Sequence, residues 1–529
     1  MVMAREELNP YDEVLYPSYP ILYTHPDRLA TVAAIFGFAA APVERCRVLE
    51  LGCSDGGNLL GMAVTLPASE FVGIDLAGSA IARGKVTIEA LGLKNIVLRQ
   101  ADLLDLAPDY GRFDYILVHG VYSWVRPEIR DQILAICRGS LAPQGIAYIS
   151  YNTLPGCHVR LMLREMMLFH NRNFKDPKQQ IQQAITLTKL LANSRTEPEA
   201  YTKVLQEEYK RLAERAPDFV YHDELSETFE PVYFHQFLEQ AARYDLQFLG
   251  EAEFFEMQPE GLTPSARELL GKLSDDLPLR EQYLDFMRGR AFRRTLLCHR
   301  GAALDHSTSP GRIRHMFASC AAAPGSKAPD FSPDGKESFR CGRGASITTT
   351  NPLARALLWY LIEVWPRRIP IKQLCEESEA RARNKLGFVR GADEDVLSDL
   401  TEFIFAMYST GLIELHVHVP PFVSRVSERP VASPLARWQA RNGQVVTTLS
   451  HRSLNLPEAV ERGLITLMDG TRDLEALKAD LVKLLGTGAF PVTDSEGKPI
   501  EDRQVIQEMV DEKLPPLLAL LPRTAVLMA

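Results

Sequence analysis

Five short apolar runs punctuate the first third of the chain: the start of VLELGCSDGGNL (48–59), FVGIDLA (71–77), IVLRQADLLDL (96–106), FDYILVHGVYSWV (113–125) and GIAYISYNTLPG (145–156). Longer helical stretches, such as 78–91 and 128–141, separate them. Runs that are apolar throughout, rather than alternating, belong to strands buried on both faces, so the pattern predicts a parallel sheet covered by helices on each side. Two further strands are expected late. The amphipathic helix YFHQFLEQAARY (233–244) leads into DLQFLGEAEF (245–254), the sixth strand, and RRTLLCHRG (293–301) reads as a seventh. The fold class read from this is α/β, a seven-stranded Rossmann-like core over 46–302. Residues 156–225, with RLMLREMMLFHNRNF (160–174) and a charged helix-forming stretch at 181–216, form a helical insertion after the fifth strand. Ligands in open α/β sheets bind beyond the carboxyl ends of the strands, so this insertion rises on the ligand side as a lid, a substrate wall or a dimer contact, unless it is a solvated decoration.

Beyond the sheet, 303–345 reads as a linker, because 321–345 is rich in Pro, Gly and Ser and lacks periodicity. Residues 346–425 then give three helices (351–366, 371–378 and the start of 393–419) and a strand alternating Leu412, Glu414, His416 and His418, a winged-helix-like middle domain. His416 and His418 share a face without a third ligand, so no metal site is expected. Residues 426–529 form a second α+β, winged-helix-like unit. In it two helices join at Asp469-Gly470-Thr471, with the glycine ending one helix and Thr471 capping the next. The unit is similar to small modules that bind peptides, so the C-terminal third is read as a recognition element, with a structural role packed on the catalytic core as the alternative. On the first reading its removal raises the Michaelis constant for a protein substrate and spares cofactor affinity.

The chemistry concentrates in the turn after the first strand. Gly52, Gly56 and Gly57 let the backbone approach a ligand where a Cβ would collide, and a helix N-terminus follows. A nucleotide-like cofactor is the expected occupant. The dinucleotide fingerprint does not fit, since Ser54 stands where its second glycine would be. Asp75 ends the second strand, where a carboxylate accepts ribose hydroxyls, and Asp102 ends the third. With Glu50 opening the turn, the block resembles the class I S-adenosylmethionine-dependent methyltransferases; a nucleotide-free domain whose carboxylates cap helices is the alternative. The resemblance implies that Glu50, Gly52 and Gly56 shape the methionine pocket, that Asp75 holds ribose and that Asp102 and Leu103 border adenine. It also brings Cys53, Asn58, Leu76, His119 and Tyr16 into the cofactor set. Tyr16 lies in a proline-punctuated aromatic segment within 1–45, expected to fold over the cofactor.

Methyl transfer from a sulfonium is an in-line displacement, so the protein must align a deprotonated nucleophile and exclude water. The side chains to inspect end the fourth and fifth strands: His119, Tyr122 and Trp124 of HGVYSW, and Tyr151 and Asn152 of YNTLP. Aromatic faces suit a sulfonium or an alkylammonium, and His119 could accept a proton; aromatic packing around a satisfied histidine is the other reading of the group.

Charge and cysteines narrow the partners. A net charge of −9 without a Lys/Arg block leaves no electrostatic footprint for nucleic acid. The opening MVMAREELNPYDEV lacks an apolar signal region and no span is long enough for stable membrane insertion, so the expected location is cytoplasmic. Eight scattered cysteines without a CxxC pair read as reduced core thiols.

Taken in order, YDEVLYPSYP…THPDRLA, ELGCSDGGN, HGVYSWV, YISYNTLPG, HDELSE…PVYFHQFLEQA and FRRTLLCHR resemble methyltransferases that carry a regulatory region after the catalytic core. Among these are the rickettsial-type protein lysine methyltransferases of outer-membrane proteins. The resemblance implies a homodimer that methylates accessible lysines of an outer-membrane or surface protein. A methyltransferase for a small metabolite or natural product is the alternative, favoured by a closed apolar pocket under the insertion and disfavoured by an open groove.

Overall fold

Strands β1 (Arg47–Leu51), β2 (Glu70–Asp75), β3 (Ile96–Gln100), β4 (Phe113–Val118), β5 (Leu141–Asn152), β6 (Leu246–Glu251) and β7 (Phe292–His299) form one sheet in the order β3-β2-β1-β4-β5-β7-β6. The structure, a computed structural model, describes residues 18–197, 199–330, 332, 335–342, 344–386, 389, 391, 395–493 and 498–528. β7 runs antiparallel to both β5 and β6, and the other neighbours are parallel. The central strands are buried on both sides, as their apolar runs require. Val48, Tyr115, Leu117 and Tyr148 face one core layer, while Leu49, Ile116, Val118 and Tyr151 face the other.

The insertion is four helices, His158–Asn171, Pro177–Ala192, Ala200–Ala213 and Pro217–Glu224. Leu163, Met167, Ala184, Leu205, Leu212 and Val220 give it a small core of its own. Asp176 caps the second helix by accepting the Gln179 N–H at 2.8 Å, with proline at its first position.

The segment expected to be a linker is built into the fold. Phe317–Ser319 is the middle strand of a small antiparallel sheet, pairing with Ile369–Pro370 and Glu414–His416. Ala323–Pro324, Glu337–Arg340 and Ser346–Thr349 make another. Ile313, Cys320 and Phe339 are fully buried. Strands of two to four residues between prolines and glycines are too short for alternation to register in the sequence. Helices Pro352–Val364, Ile371–Leu386 and Val396–Ser409 complete the middle module.

The C-terminal unit packs Pro434–Asn442, Ala459–Leu467, Leu474–Gly486 and Arg503–Leu520 around Leu464, Leu481, Ile506 and Val526. Its Asp-Gly-Thr turn differs from expectation: Asp473, not Thr471, caps the following helix, accepting the Ala476 N–H at 2.8 Å. The Thr471 hydroxyl donates back to Asp469 at 2.6 Å.

The middle module is joined to the core by buried charge. Asp27, on the helix Pro26–Ile35, accepts from Arg368 and from His416 Nδ1 at 2.8 Å each, and from the N–H groups of Val417 and His418 at 2.9 Å. Arg28 pairs with Glu414 at 2.7 Å, and His418 meets Glu44 at 2.7 Å. The two histidines thus serve docking. Behind the cofactor turn, the helix Pro434–Asn442 packs on Gly57–Thr65 and Gly78–Leu91.

Candidate functional site

The turn after β1 is locked by backbone geometry. Gly52 and Gly56 adopt φ of +77° and +78°, the left-handed region that glycine enters without penalty. A Cβ on Gly52 would lie 2.4 Å from Val121 Cγ2. Ser54 also has a positive φ, +52°, which accounts for the glycine that related turns carry there. Asp75 holds it, accepting the Ser54 N–H at 2.7 Å through one carboxylate oxygen and the Ala77 N–H at 2.8 Å through the other.

A cavity of about 780 Å³ opens over this turn. Of the residues singled out from the sequence, it is lined by Glu50, Gly52, Cys53, Asn58, Asp75, Leu76, Asp102, Leu103, His119, Trp124 and Asn152. Four others are not brought to it, Gly57 among them. Gly56 instead starts the helix Gly57–Thr65, against Leu98. Tyr122 is fully buried and bonds Gln240 through its hydroxyl, with Arg130 over its ring. Tyr151 stacks on Phe237 at 4.2 Å and meets the Thr295 hydroxyl at 3.1 Å. Both tyrosines therefore belong to the core layer beneath the helix Phe234–Ala242, where burial raises their phenols above the usual range. The sequence placed them near the ends of the right strands but not on the right face. Tyr16 lies outside the described residues.

Glu50 is 3% exposed, and its Oε1 accepts from Asn58 Nδ2 at 2.8 Å. Its Oε2 has no partner, and burial pushes the carboxyl up to about 8. A buried carboxylate with an unmatched oxygen at the wall of a cavity fits an ammonium group. The α-amino group of S-adenosylmethionine is one. His119 has its Nδ1 2.9 Å from the Tyr148 hydroxyl, and burial lowers it to about 4, so it is neutral. The segment after residue 17 closes the other side: Ser18, Tyr19 and Ile21 line the cavity, and Ser18 Oγ accepts the Gly57 N–H at 3.0 Å.

Tyr19 belongs to the aromatic segment expected to cover the cofactor, whereas sequence reasoning missed Ser18 and Ile21, along with Arg83, Ile129 and Phe292. Phe292 could have been found from the antiparallel placement of β7, which starts beside the end of β5. The insertion also lines the cavity, through Arg160, Glu208, Arg211, Arg215, His222 and Asp223. Arg160 lies over the Trp124 ring at 5.4 Å and pairs with Glu224 at 3.1 Å. The aromatic face offered to a cation is thus already covered by one.

Residues 48–145 match the family described as methyltransferase domain, 216–299 that described as predicted methyltransferase regulatory domain, and 428–526 that described as PKMT, C-terminal winged helix domain. An uncharacterized protein of Rickettsia prowazekii (strain Madrid E) is 31% identical over 519 residues, 96% of this chain and 92% of its own length. The structure of PKMT2 from Rickettsia typhi, also solved in complex with AdoHcy, superposes with a TM-score of 0.86 at 30% identity, covering 97% of this chain and 100% of that one. A tRNA (guanine-N(7)-)-methyltransferase of Chloroflexus aggregans is 33% identical over 153 residues, only 26% of this chain and 64% of its own. With a sheet, turn and cavity built for S-adenosylmethionine and a likeness that runs nearly end to end, the chain belongs to the PKMT family of S-adenosylmethionine-dependent methyltransferases.

Proposed function

We propose that this enzyme methylates lysine side chains of a protein, with an outer-membrane or surface protein as the substrate class. The observation that carries the reading is the charged insertion wall, where Arg160, Glu208, Arg211, Arg215 and Asp223 line the cavity. A small apolar metabolite would be poorly matched there, whereas a polypeptide segment offers polar partners throughout.

In this reading Glu50 receives the cofactor's ammonium, Asp75 the ribose hydroxyls, and Asp102 with Leu103 borders adenine; Gly52, Cys53, Asn58, Leu76 and His119 complete the set. Bound cofactor supplies an electrophilic methyl group on a sulfonium. The chain's own task is to present a neutral amine. Removing a lysine proton at pH 7 costs about 4–5 kcal/mol. His119, held near 4, does not store that proton; it serves as a neutral acceptor. Asn152, whose N–H donates to Ser123 Oγ at 2.8 Å, is held at the end of β5 to orient the amine.

A cytoplasmic homodimer belongs to the same reading. All eight cysteines are free thiols, which supports a reducing compartment. Phe169 and Leu190 lie exposed on two insertion helices that pack together, apolar surface for a second copy. Among the described residues no helix is long and apolar enough to cross a membrane.

Labelled S-adenosylmethionine with a lysate of the host tests the substrate class. Label following a protein band, at lysine, is expected; label confined to small molecules would sink the proposal. For the cofactor arm, Asp75→Ala should weaken S-adenosylmethionine by about 2–4 kcal/mol, because it removes ribose hydrogen bonds and frees the Ser54 and Ala77 N–H groups. Titration calorimetry reads this directly, and unchanged affinity would count against the ribose assignment.

A further inference from the structure

The C-terminal unit reaches the cofactor turn from behind through one side chain. His451 lies between the paired strands Val445–Thr447 and Ser453–Asn455, with φ of +58°, a left-handed conformation that L side chains disfavour. It is 3% exposed, and its Nε2 is 2.9 Å from Asn58 Oδ1. The rest of the network fixes who donates. Asn58 Nδ2 gives its hydrogens to Glu50 Oε1 at 2.8 Å and to Thr24 Oγ1 at 2.9 Å, so Oδ1 is the acceptor and His451 Nε2 carries the proton. The same Oδ1 accepts the N–H of Ile21, a residue of the cavity lining, at 2.9 Å. His451 Nδ1 has no partner, so the ring makes this bond as a neutral donor. Approach is close as well: a Cβ on Gly61 would come 2.8 Å from Thr447 Cγ2 and 3.1 Å from His451 Nδ1. A left-handed residue, a buried ring and a glycine opposite it all converge on one hydrogen bond.

We infer that His451 is a positioning residue of the cofactor site: its donation to Asn58 Oδ1 orients the amide so that Nδ2 holds Glu50, leaving Glu50 Oε2 for the cofactor's ammonium. Docking of the C-terminal unit and capture of the amino-acid end of the cofactor are then one event. The inference rests on the assignment of Glu50 to that ammonium. A packing role alone would require only the ring's volume, which phenylalanine supplies, whereas the positioning role requires a donor, which glutamine supplies.

The test is calorimetric, on the full chain, with two ligands: S-adenosylhomocysteine, and 5′-methylthioadenosine, which lacks the amino-acid end. His451→Phe should weaken S-adenosylhomocysteine about tenfold or more and 5′-methylthioadenosine less than about twofold, as expected for loss of one buried hydrogen bond acting at one end of the ligand. His451→Gln should recover most of the loss. With Asn58→Ala the effects should not add, so that the double variant binds as weakly as Asn58→Ala alone. Wild-type affinity in His451→Phe, equal losses for both ligands, or additive losses would overturn the inference. Should the phenylalanine variant not fold, His451→Asn, polar but too short to reach Asn58, carries the same expectation. Glu50→Gln separates the two claims. Unchanged affinity there removes the Glu50 assignment itself, while a loss there beside an unaffected His451→Phe removes only the role of His451.

Discussion

Arg293→Met is expected to leave little folded enzyme at neutral pH. Arg293 is completely buried on β7 and satisfies three carboxylates at once: Glu251 at 2.6 Å, Asp285 at 2.8 Å and Glu281 at 3.3 Å. Its guanidinium also lies 3.8 Å above the Phe234 ring. The neighbouring Arg290 and Arg280 reach Asp285 and Glu281 only from the edge of the cluster, at 3.2 Å each. Removing the central cation therefore strands buried negative charge, which costs about 3–5 kcal/mol for a single broken pair, against a total stability of about 5–15 kcal/mol for a typical domain. Burial already pushes Glu281 and Asp285 upward while Arg293 pulls them down, and without it both would take up protons on folding. A carboxyl whose folded pKa is raised stabilises the fold below its unfolded pKa, and that contribution is lost as pH rises through the folded pKa. The variant should thus be most stable in mild acid and unfold as pH rises toward 8. Denaturation midpoints followed by circular dichroism at several pH values decide the matter: a midpoint equal to wild type at pH 8 would refute the account, and Arg293→Lys, which keeps the charge but not the fork, should fall between.

The second large effect concerns the C-terminal third. A chain ending at residue 345 should be poorly soluble and should fail to bind S-adenosylmethionine, even though no residue lining the large cavity is removed. Asp27 would lose Arg368, His416 and two backbone donors, and Arg28 would lose Glu414. Both sit on the helix Pro26–Ile35, which follows directly on the segment that closes the cavity. The Asp27 carboxyl is held well below the usual range against its own burial, with Arg368 the first of the charges that oppose that burial, a measure of how much the lost partners contribute. A soluble truncated protein with wild-type cofactor affinity would defeat this and restore the view of these modules as detachable recognition elements.

Both readings of the C-terminal third, recognition and packing, are open to the sequence, and the contrast with the cofactor turn shows what sequence patterning can carry. Glycines at 52 and 56, carboxylates at 50, 75 and 102, and uninterrupted apolar strands are local signals with local consequences, and they led to the sheet, the turn and the end of the cavity over that turn. Tyr151 was misread because a strand buried on both faces gives no alternation from which to tell a cavity-facing position from a core-facing one, and Tyr122 because it lies in the short turn Tyr122–Trp124 beyond the end of β4, where no strand period applies. Asp27, His416 and His451 were out of reach for another reason: their partners lie hundreds of positions away, and a buried ion pair or hydrogen bond has no signature in either of its two segments.

The order of strands carries a consequence for how such a chain can be divided. The stretch that matches the regulatory description, 216–299, supplies β6 and β7, two of the seven strands. The stretch that matches the methyltransferase description stops at residue 145, partway along β5. A piece cut at that point would end in a half-strand and expose a raw sheet edge, with unpaired N–H and C=O groups that invite a second molecule to add a strand. Catalysis and regulation here are therefore names for parts of one hydrogen-bonded surface. Whatever shifts β7 moves Phe292 at the cavity wall, with no joint between the two at which the signal could be lost.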